Sequence, residues 1–588
     1  MNNTTSSLSE KLKTADIIST ILITLLCFIL TWFVFGFYYV EYEGLNTSFF
    51  SGKLTPGLPF RSVYFSGNIG ISFIYSFFYE HFPNVEWLSW IYYSYLFFSC
   101  FIGLYIVAKL LPAKTSLTVK ILLQVLVYYL VFADHHIHYI YTRVSYMCCG
   151  LSLIGLVVLF NSITAIKARW WIFLLLNLFF TIGALTRIEV ATACFLLLSV
   201  FAVFYAQNIK KTILLFLYPA IVIAVMALAL SMDIKTATLR EFYKQVEPDI
   251  EEQFIARENR APLSYMKTHR DTVLYKTAME MVWSDPQNIS AKYLRSLILP
   301  EKLMFTDVKQ WSRVFRSFSQ VGTKYWYLFL LTTMLSIAVL VQYGFGKSFL
   351  NRLYTLGFVF SFWGLTIAQI YTDKVNERSF LPFLSLFIFC HVILLVSSTA
   401  TRISLWLYPL FIFCSVLLGI HVFALKEESN TLKTDLLRYQ ANYEKIKRAA
   451  ANKYLVMNST SFDYIFLSNV PFHTFNFSPF KKMYITDGYI IPFLPYYKRY
   501  LEQECNCDIY AFPSFWNYLK SIQQDVVIVS TPHRIKVVKE YLEEIHHFPF
   551  PVVEDKTVQL MEQRKSDNRE THDEMKMYAF ERQKQDSI

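Results

Sequence analysis

Apolar runs long enough to cross a bilayer recur from residue 15 to residue 424, joined mostly by short polar connections. They predict about eleven spans: 15–40, 86–108, 118–134, 145–165, 170–186, 188–206, 212–231, 325–345, 353–371, 380–399 and 403–424. Only Arg187 and Glu189 split the fifth run from the sixth. The first run exceeds a secretory h-region and no small-residue cleavage site follows, so it reads as a retained span. In the next connection, 66–82 is apolar but short and carries Glu80 and His81. A crossing there would invert every later loop, so a helix lying at the interface is expected.

The connections alternate in chemistry. One set is basic without carboxylates: Lys109/Lys114/Lys120, Lys167/Arg169, Lys210/Lys211, Lys347/Arg352 and Arg402. The positive-inside rule places these in the cytoplasm, together with an N-terminus that carries Lys11 and Lys13. Segments 41–85, 134–144, 187–189, 232–324, 372–379 and the C-terminal region then lie outside. A bacterial cytoplasmic (inner) membrane fits the aromatic-, Ile- and Lys-rich usage with few Gly.

The expected fold is mainly α: a polytopic membrane protein with about eleven transmembrane helices, juxtamembrane helices on the outer face and a small C-terminal α/β domain. Residues 1–424 form the membrane domain, with outer loops 41–85 and 232–324. Breakers at Pro248, Pro262, Pro286 and Pro300 suggest short helices in the second loop. Residues 425–452 form a helical connector and 453–554 the extracytoplasmic α/β domain. Strands are expected at Tyr454–Met457, Tyr464–Leu467 and Val526–Val529, and a capped helix after Thr531-Pro532. The charged tail, 555–588, is expected to be disordered.

Composition narrows the class. Of 588 residues, 54% are hydrophobic and 17% charged, too apolar for a soluble protein of this length. The net charge of +11 lies largely in the short basic loops, so it signals topology and no nucleic-acid partner. Seven of the nine cysteines fall in spans, where a thiol acts as a small apolar group, and no zinc or disulfide spacing is visible.

Carboxylates and cations recur together on the expected outer face, where ionisable groups at membrane edges are costly. Glu41 and Glu43 follow the first span and can supply a general base or oxygen ligands. A divalent cation is compatible with this pair but not required, and no metal ligands are assigned. Asp134 is followed by His135, His136 and His138, which suit hydrogen-bonding support better than a metal site. Thr186-Arg187-Ile188-Glu189 is either a hairpin turn or an Arg–Glu arrangement facing a cavity, and it has none of the usual Gly, Pro or Asn of a turn. In Asp373-Lys374-Val375-Asn376-Glu377-Arg378, Lys374 and Arg378 share a face if helical and could clamp a phosphate. Carboxylates that deprotonate a hydroxyl, beside cations that hold a phosphate, suit group transfer from a phosphate-linked lipid.

This layout resembles the GT-C superfamily of polytopic glycosyltransferases, which use polyprenyl-phosphate-linked sugars. The resemblance covers roughly 15–424. It rests on the acidic pair after span one, the horizontal helix and Glu377-Arg378-Ser379-Phe380-Leu381-Pro382, similar to the Glu-Arg-Tyr-Leu-Leu-Pro stretch of such enzymes. It implies a base at Glu41 or Glu43 and Arg378 at the donor phosphate. Glu-Tyr-Glu departs from the Asp that members often carry first, which leaves open which Glu acts. The implied activity is inverting transfer from a polyprenyl-phosphate-sugar to a glycan, lipid or protein hydroxyl. Glu41, Glu43 and Asp134 form the catalytic set, Lys374, Arg378 and Arg187 the phosphate set, with Glu189, His135, His138 and Glu377 in support. Two other classes fit less well. A transporter or flippase of lipid-linked glycans usually shows internal repeats and midplane charges. A non-catalytic assembly protein leaves the membrane-edge charges unexplained.

Overall fold

The computed structural model describes residues 3–39, 69–112, 115–162, 166–206, 209–233, 266–279, 288–289, 291–297, 319, 322–344, 349–371, 377–398, 407–457, 479–485, 495–506, 512–560 and 575–581. The chain is mainly helical. It opens with α1 (Asn3–Phe35), the two-residue strand β1 (Tyr38–Tyr39), α2 (Ile69–His81) and α3 (Trp87–Leu110). Helix α4 (Leu117–Val127) continues through a π-helical turn (Tyr128–Phe132) into α5 (Ala133–Ile137) and β2 (His138–Tyr139). Then follow α6 (Tyr141–Ser162), α7 (Ile166–Thr186), α8 (Ile188–Ala206), α9 (Ile209–Asp233), α10 (His269–Met279) and α11 (Ala291–Ser296). The membrane part closes with α12 (Trp326–Gly344), α13 (Phe349–Tyr371), α14 (Glu377–Ser398) and α15 (Leu407–Ala449).

Among the described residues, nine helical segments are long and apolar enough to cross a membrane. They correspond to nine of the expected runs. The two others, 353–371 and 403–424, fall on α13 and the start of α15, parts of which lie outside the described side chains. Helices α6 and α14 are the inner members, with 94% and 83% of their apolar windows buried, whereas α9 has only 22%. The exposed leucines and isoleucines of α9 (Ile213, Leu214, Leu217, Ile221, Leu228) are suited to lipid.

Contacts at the helix ends sort the bundle into two poles. At one pole Asp16 accepts from Lys120 at 3.0 Å and lies 3.8 Å from Lys109. The start of α1, the end of α3 and the start of α4 therefore meet. At the other pole β1 pairs in parallel with β2, Tyr38 opposite His138. Helix α2 lies at this second pole against the start of α3: Tyr79 Oη accepts from Leu88 N, and Phe78 packs on Trp87 at 4.7 Å. Its 13 residues span about 20 Å, short of the roughly 30 Å of a hydrocarbon core.

Span boundaries differ from expectation at the end of the first helix, which stops at Phe35 rather than 40, and on both sides of the Asp134 segment. The third apolar helix does not end at Asp134 but runs to Ile137, and the fourth begins at Tyr141 rather than 145. Segment 134–144 is thus mostly helix: the π turn and the short β2 segment let the polar residues be buried within the bundle instead of lying in an exposed loop.

The C-terminal region folds on a five-stranded sheet of order β4-β3-β5-β7-β6. Its strands are β3 (Tyr454–Met457), β4 (Lys482–Ile485), β5 (Val526–Ser530), β6 (Val552–Glu554) and β7 (Lys576–Phe580). The first three are parallel, and β7 runs antiparallel to β5 and β6. Helices α16 (Pro495–Cys505), α17 (Phe512–Ser521) and α18 (Pro532–His546) accompany the sheet. Thr531 caps α18 by accepting from Arg534 N, with Pro532 in the first turn. The expected strand 464–467 lies outside the described residues. The disordered tail needs correction at 576–580, which pairs between β5 and β6 with Met577 and Tyr578 buried. Five residues of strand inside a charged stretch are too few to shift its composition.

Part of the 232–324 loop belongs to the same unit. Val273, Leu274 and Ala278 of α10 enter the apolar core of the C-terminal domain, and Lys276 pairs with Glu540 of α18 at 3.4 Å. Helix α10 and the C-terminal domain therefore pack as one unit.

Candidate functional site

The polar cluster at the second pole is built by the π turn. Its wider winding is a frequent feature of functional helices. Here it precedes Asp134-His135-His136, whose two histidines are buried against different helices. His136 Nδ1 faces Tyr128 Oη at 3.0 Å, and that hydroxyl donates to Thr31 Oγ1 of α1. His135 Nε2 lies 3.0 Å from Ser385 Oγ of α14.

Asp134 is held on both carboxylate oxygens. His138 Nδ1 lies 2.8 Å from Oδ1, and Arg143 Nη1 donates to Oδ2 at 2.7 Å and to the Asp134 carbonyl at 3.1 Å. Arg143 is 2% exposed, so this is a desolvated pair with charge-assisted bonds. The other face of His138 meets α15: Nε2 lies 3.8 Å from Glu428 Oε1, and Lys324 Nζ lies 3.6 Å from the same oxygen. Exposure rises along this series, from 7% at His138 to 36% at Glu428 and 45% at Lys324. The chain of charges thus runs from the bundle interior toward solvent. Burial by itself pushes the His138 imidazole down, but Glu428 and Asp134 outweigh both burial and the opposing Arg143, and the net displacement is upward.

Arg187 stands at the non-helical joint between α7 and α8. Its Nη1 donates to Thr142 Oγ1 at 2.7 Å and to Tyr141 Oη at 3.4 Å; its Nε is 3.5 Å from Glu189, and the guanidinium lies over the Tyr141 ring. Arg187 is partly buried and Glu189 exposed, so the pair closes a tight joint rather than forming a fully buried arrangement. Ser145 Oγ of α6 donates to the carbonyls of Gly183 and Arg187, which fixes the joint against α6.

The end of α1 is clamped from α15. Gly36, at φ +84°, terminates the helix by donating to Trp32 O at 2.9 Å. Two further carbonyls accept from Lys426 and Lys433 (Val34 O, 2.6 and 3.2 Å) and from Ser429 (Phe35 O).

The structure brings Asp134, His135 and His138 into one cluster, joined to Arg187 and Glu189 through Tyr141, Thr142 and Arg143 at the start of α6. Glu377 and Arg378 begin α14. Arg378 precedes Ser385 by seven residues, about 10 Å along the helix, and the side chains of Glu377 and Arg378 lie outside the described ones. Glu41, Glu43 and Lys374 also lie outside the described residues. The acidic pair follows Tyr39, whose backbone pairs with Tyr139, by two and four positions. Sequence reasoning missed Arg143, Glu428, Lys324 and Ser385. Arg143 carried a signal, a lone cation at the edge of an apolar run. Glu428 carried none that set it apart from the other charges of the connector.

Among the described residues no group of three or more His, Cys, Asp or Glu side chains is arranged to hold a metal ion. No family model, curated protein or solved structure matches this chain.

Proposed function

We propose that the chain is a membrane glycosyltransferase of the GT-C kind, with about eleven spans, a cytoplasmic N-terminus and its C-terminal domain outside the bacterial cytoplasmic membrane. It moves a sugar from a polyprenyl-phosphate donor to an acceptor hydroxyl with inversion. The observation that carries this is the pairing of β1 with β2. The stretch leading to Glu41 and Glu43 starts beside His138, within the same pole as Asp134 and Arg187.

Glu41 or Glu43 takes the proton of the acceptor hydroxyl as its oxygen attacks the anomeric carbon, and the bond to the donor phosphate oxygen breaks. The departing polyprenyl phosphate is already an anion. It needs cations rather than a general acid, which suits Arg187, Lys374 and Arg378. Asp134 has both oxygens engaged, which favours a positioning role over proton transfer: it orients His138 and Arg143. His135 and His138 support it from the same turn, with Glu189 and Glu377 beside the phosphate cations.

Transfer of labelled sugar from polyprenyl-phosphate donors, in membranes that contain the protein, tests this. Loss of the base in Glu41→Gln or Glu43→Gln should slow turnover about 10²–10⁴-fold in one of the two. Arg378→Ala should weaken donor use. Transfer that is unchanged in all three variants contradicts the assignment.

A further inference from the structure

We propose that His138 is a proton-dependent latch, an imidazolium that ties the membrane bundle to the helical stem of the C-terminal domain by bridging Asp134 and Glu428. This stands apart from the transferase assignment, because it concerns how the stem is held.

The chemistry follows from which atoms face each other. Both ring nitrogens of His138 point at carboxylate oxygens, Nδ1 at Asp134 Oδ1 (2.8 Å) and Nε2 at Glu428 Oε1 (3.8 Å). An ionised carboxylate only accepts, so both contacts are attractive only when both nitrogens carry protons. A neutral imidazole has one N–H. The shorter contact retains it, and the Nε2 lone pair then faces Glu428. Deprotonation turns an attraction across the bundle–stem contact into a repulsion and leaves the Asp134 side intact. At 3.8 Å, Nε2 makes no hydrogen bond although it is buried, so the Glu428 contact is the weaker one and the one to open.

Glu428 is placed to pass this on. It sits in α15, a continuous helix of 43 residues that starts within the membrane part and ends at Ala449, five residues before β3 of the C-terminal sheet. Among the described residues, the charged and titratable groups around His138 are Asp134 and His135 from α5, Arg143 from α6, Glu428 and His421 from α15, and Lys324 ahead of α12. Asp134 already has Arg143, so proton loss from His138 leaves it paired. Glu428 keeps only the more exposed Lys324 among the described ion pairs. The upward displacement of His138 gives the sign. The bridge is complete below the ordinary histidine range and is lost as pH rises through the higher folded value.

Hydrogen exchange of the full-length protein in lipid nanodiscs, followed between about pH 6 and 9 and corrected for intrinsic rates, tests the latch. Amides of 426–440 should exchange about tenfold faster above the transition than below it, while those of α6 show no step. Glu428→Gln, at a partly exposed position, should abolish the step and leave the stem fast at both ends. His138→Gln should do the same. Lys324→Gln removes a cation that disfavours the imidazolium, so it should move the step to higher pH. A wild-type stem with no step, a step that persists in Glu428→Gln, or a step that Lys324→Gln fails to raise would each overturn the proposal.

Discussion

Arg143→Met should destabilise the membrane domain by about 3 kcal/mol, because it strands a largely buried carboxylate. Arg143 supplies the 2.7 Å contact to Asp134 Oδ2 and is itself almost fully buried. Removing it leaves Asp134 with His138 and, at 3.9 Å, His135. Neither replaces a guanidinium that also binds the Asp134 carbonyl. The cost is that of an uncompensated charge, so it should fall when the charge goes too. The double variant Arg143→Met with Asp134→Leu should be markedly more stable than Arg143→Met alone. Thermal unfolding in nanodiscs, read from tryptophan fluorescence, gives both values. Equal losses in the single and double variants would show that the pair is not what holds this turn.

The second large effect belongs to Gly183. A Cβ there would sit 2.6 Å from Cys149 Sγ, 2.9 Å from Cys148 Cβ and 3.1 Å from the Cys149 backbone nitrogen. Backbone cannot rotate away, so α6 and α7 would have to separate. Small residues at such crossings let helices approach closely enough for van der Waals contact and hydrogen bonds to hold them. Separation would also break the bonds from Ser145 to the carbonyls of Gly183 and Arg187, and with them the seat of Arg187 on Thr142. Gly183→Val should therefore cost about 1–3 kcal/mol or more from overpacking. Gly357 and Gly364 are the controls. A Cβ at either meets nothing within 4 Å, and alanine there should stabilise the helix slightly. Equal behaviour of Gly183→Val and the two alanine variants would count against the close crossing.

Nine of the expected spans were legible because a bilayer demands length and apolarity, which a sequence displays directly. The α2 segment was legible for the same reason in reverse, being too short to cross. Strands at Tyr454 and Val526 stood out as runs of apolar residues that become buried in a sheet. Lys482–Ile485 and Lys576–Phe580 did not, since each opens on a lysine. The site was half legible. Asp134, His135, His138 and Arg187 announced themselves as ionisable groups where apolar residues were expected. Their partners did not, because Arg143 reaches Asp134 only through the π turn and the 138–139 strand. Glu428 reaches His138 only because α15 runs unbroken past the end of α1. Such contacts belong to tertiary structure, and no local pattern encodes them.

In the proposed transferase, chemistry drawn from distant stretches shares one non-cytosolic face. Single cysteines at positions 43, 324 and 378, in a background with the two cysteines outside the spans replaced, can be labelled in intact cells with a membrane-impermeant maleimide. All three should react before lysis, and a cysteine at 114 only after it. Protection of position 43 or 378 until lysis, with the other labelled from outside, would place the base and the phosphate cation on opposite sides of the lipid and contradict it.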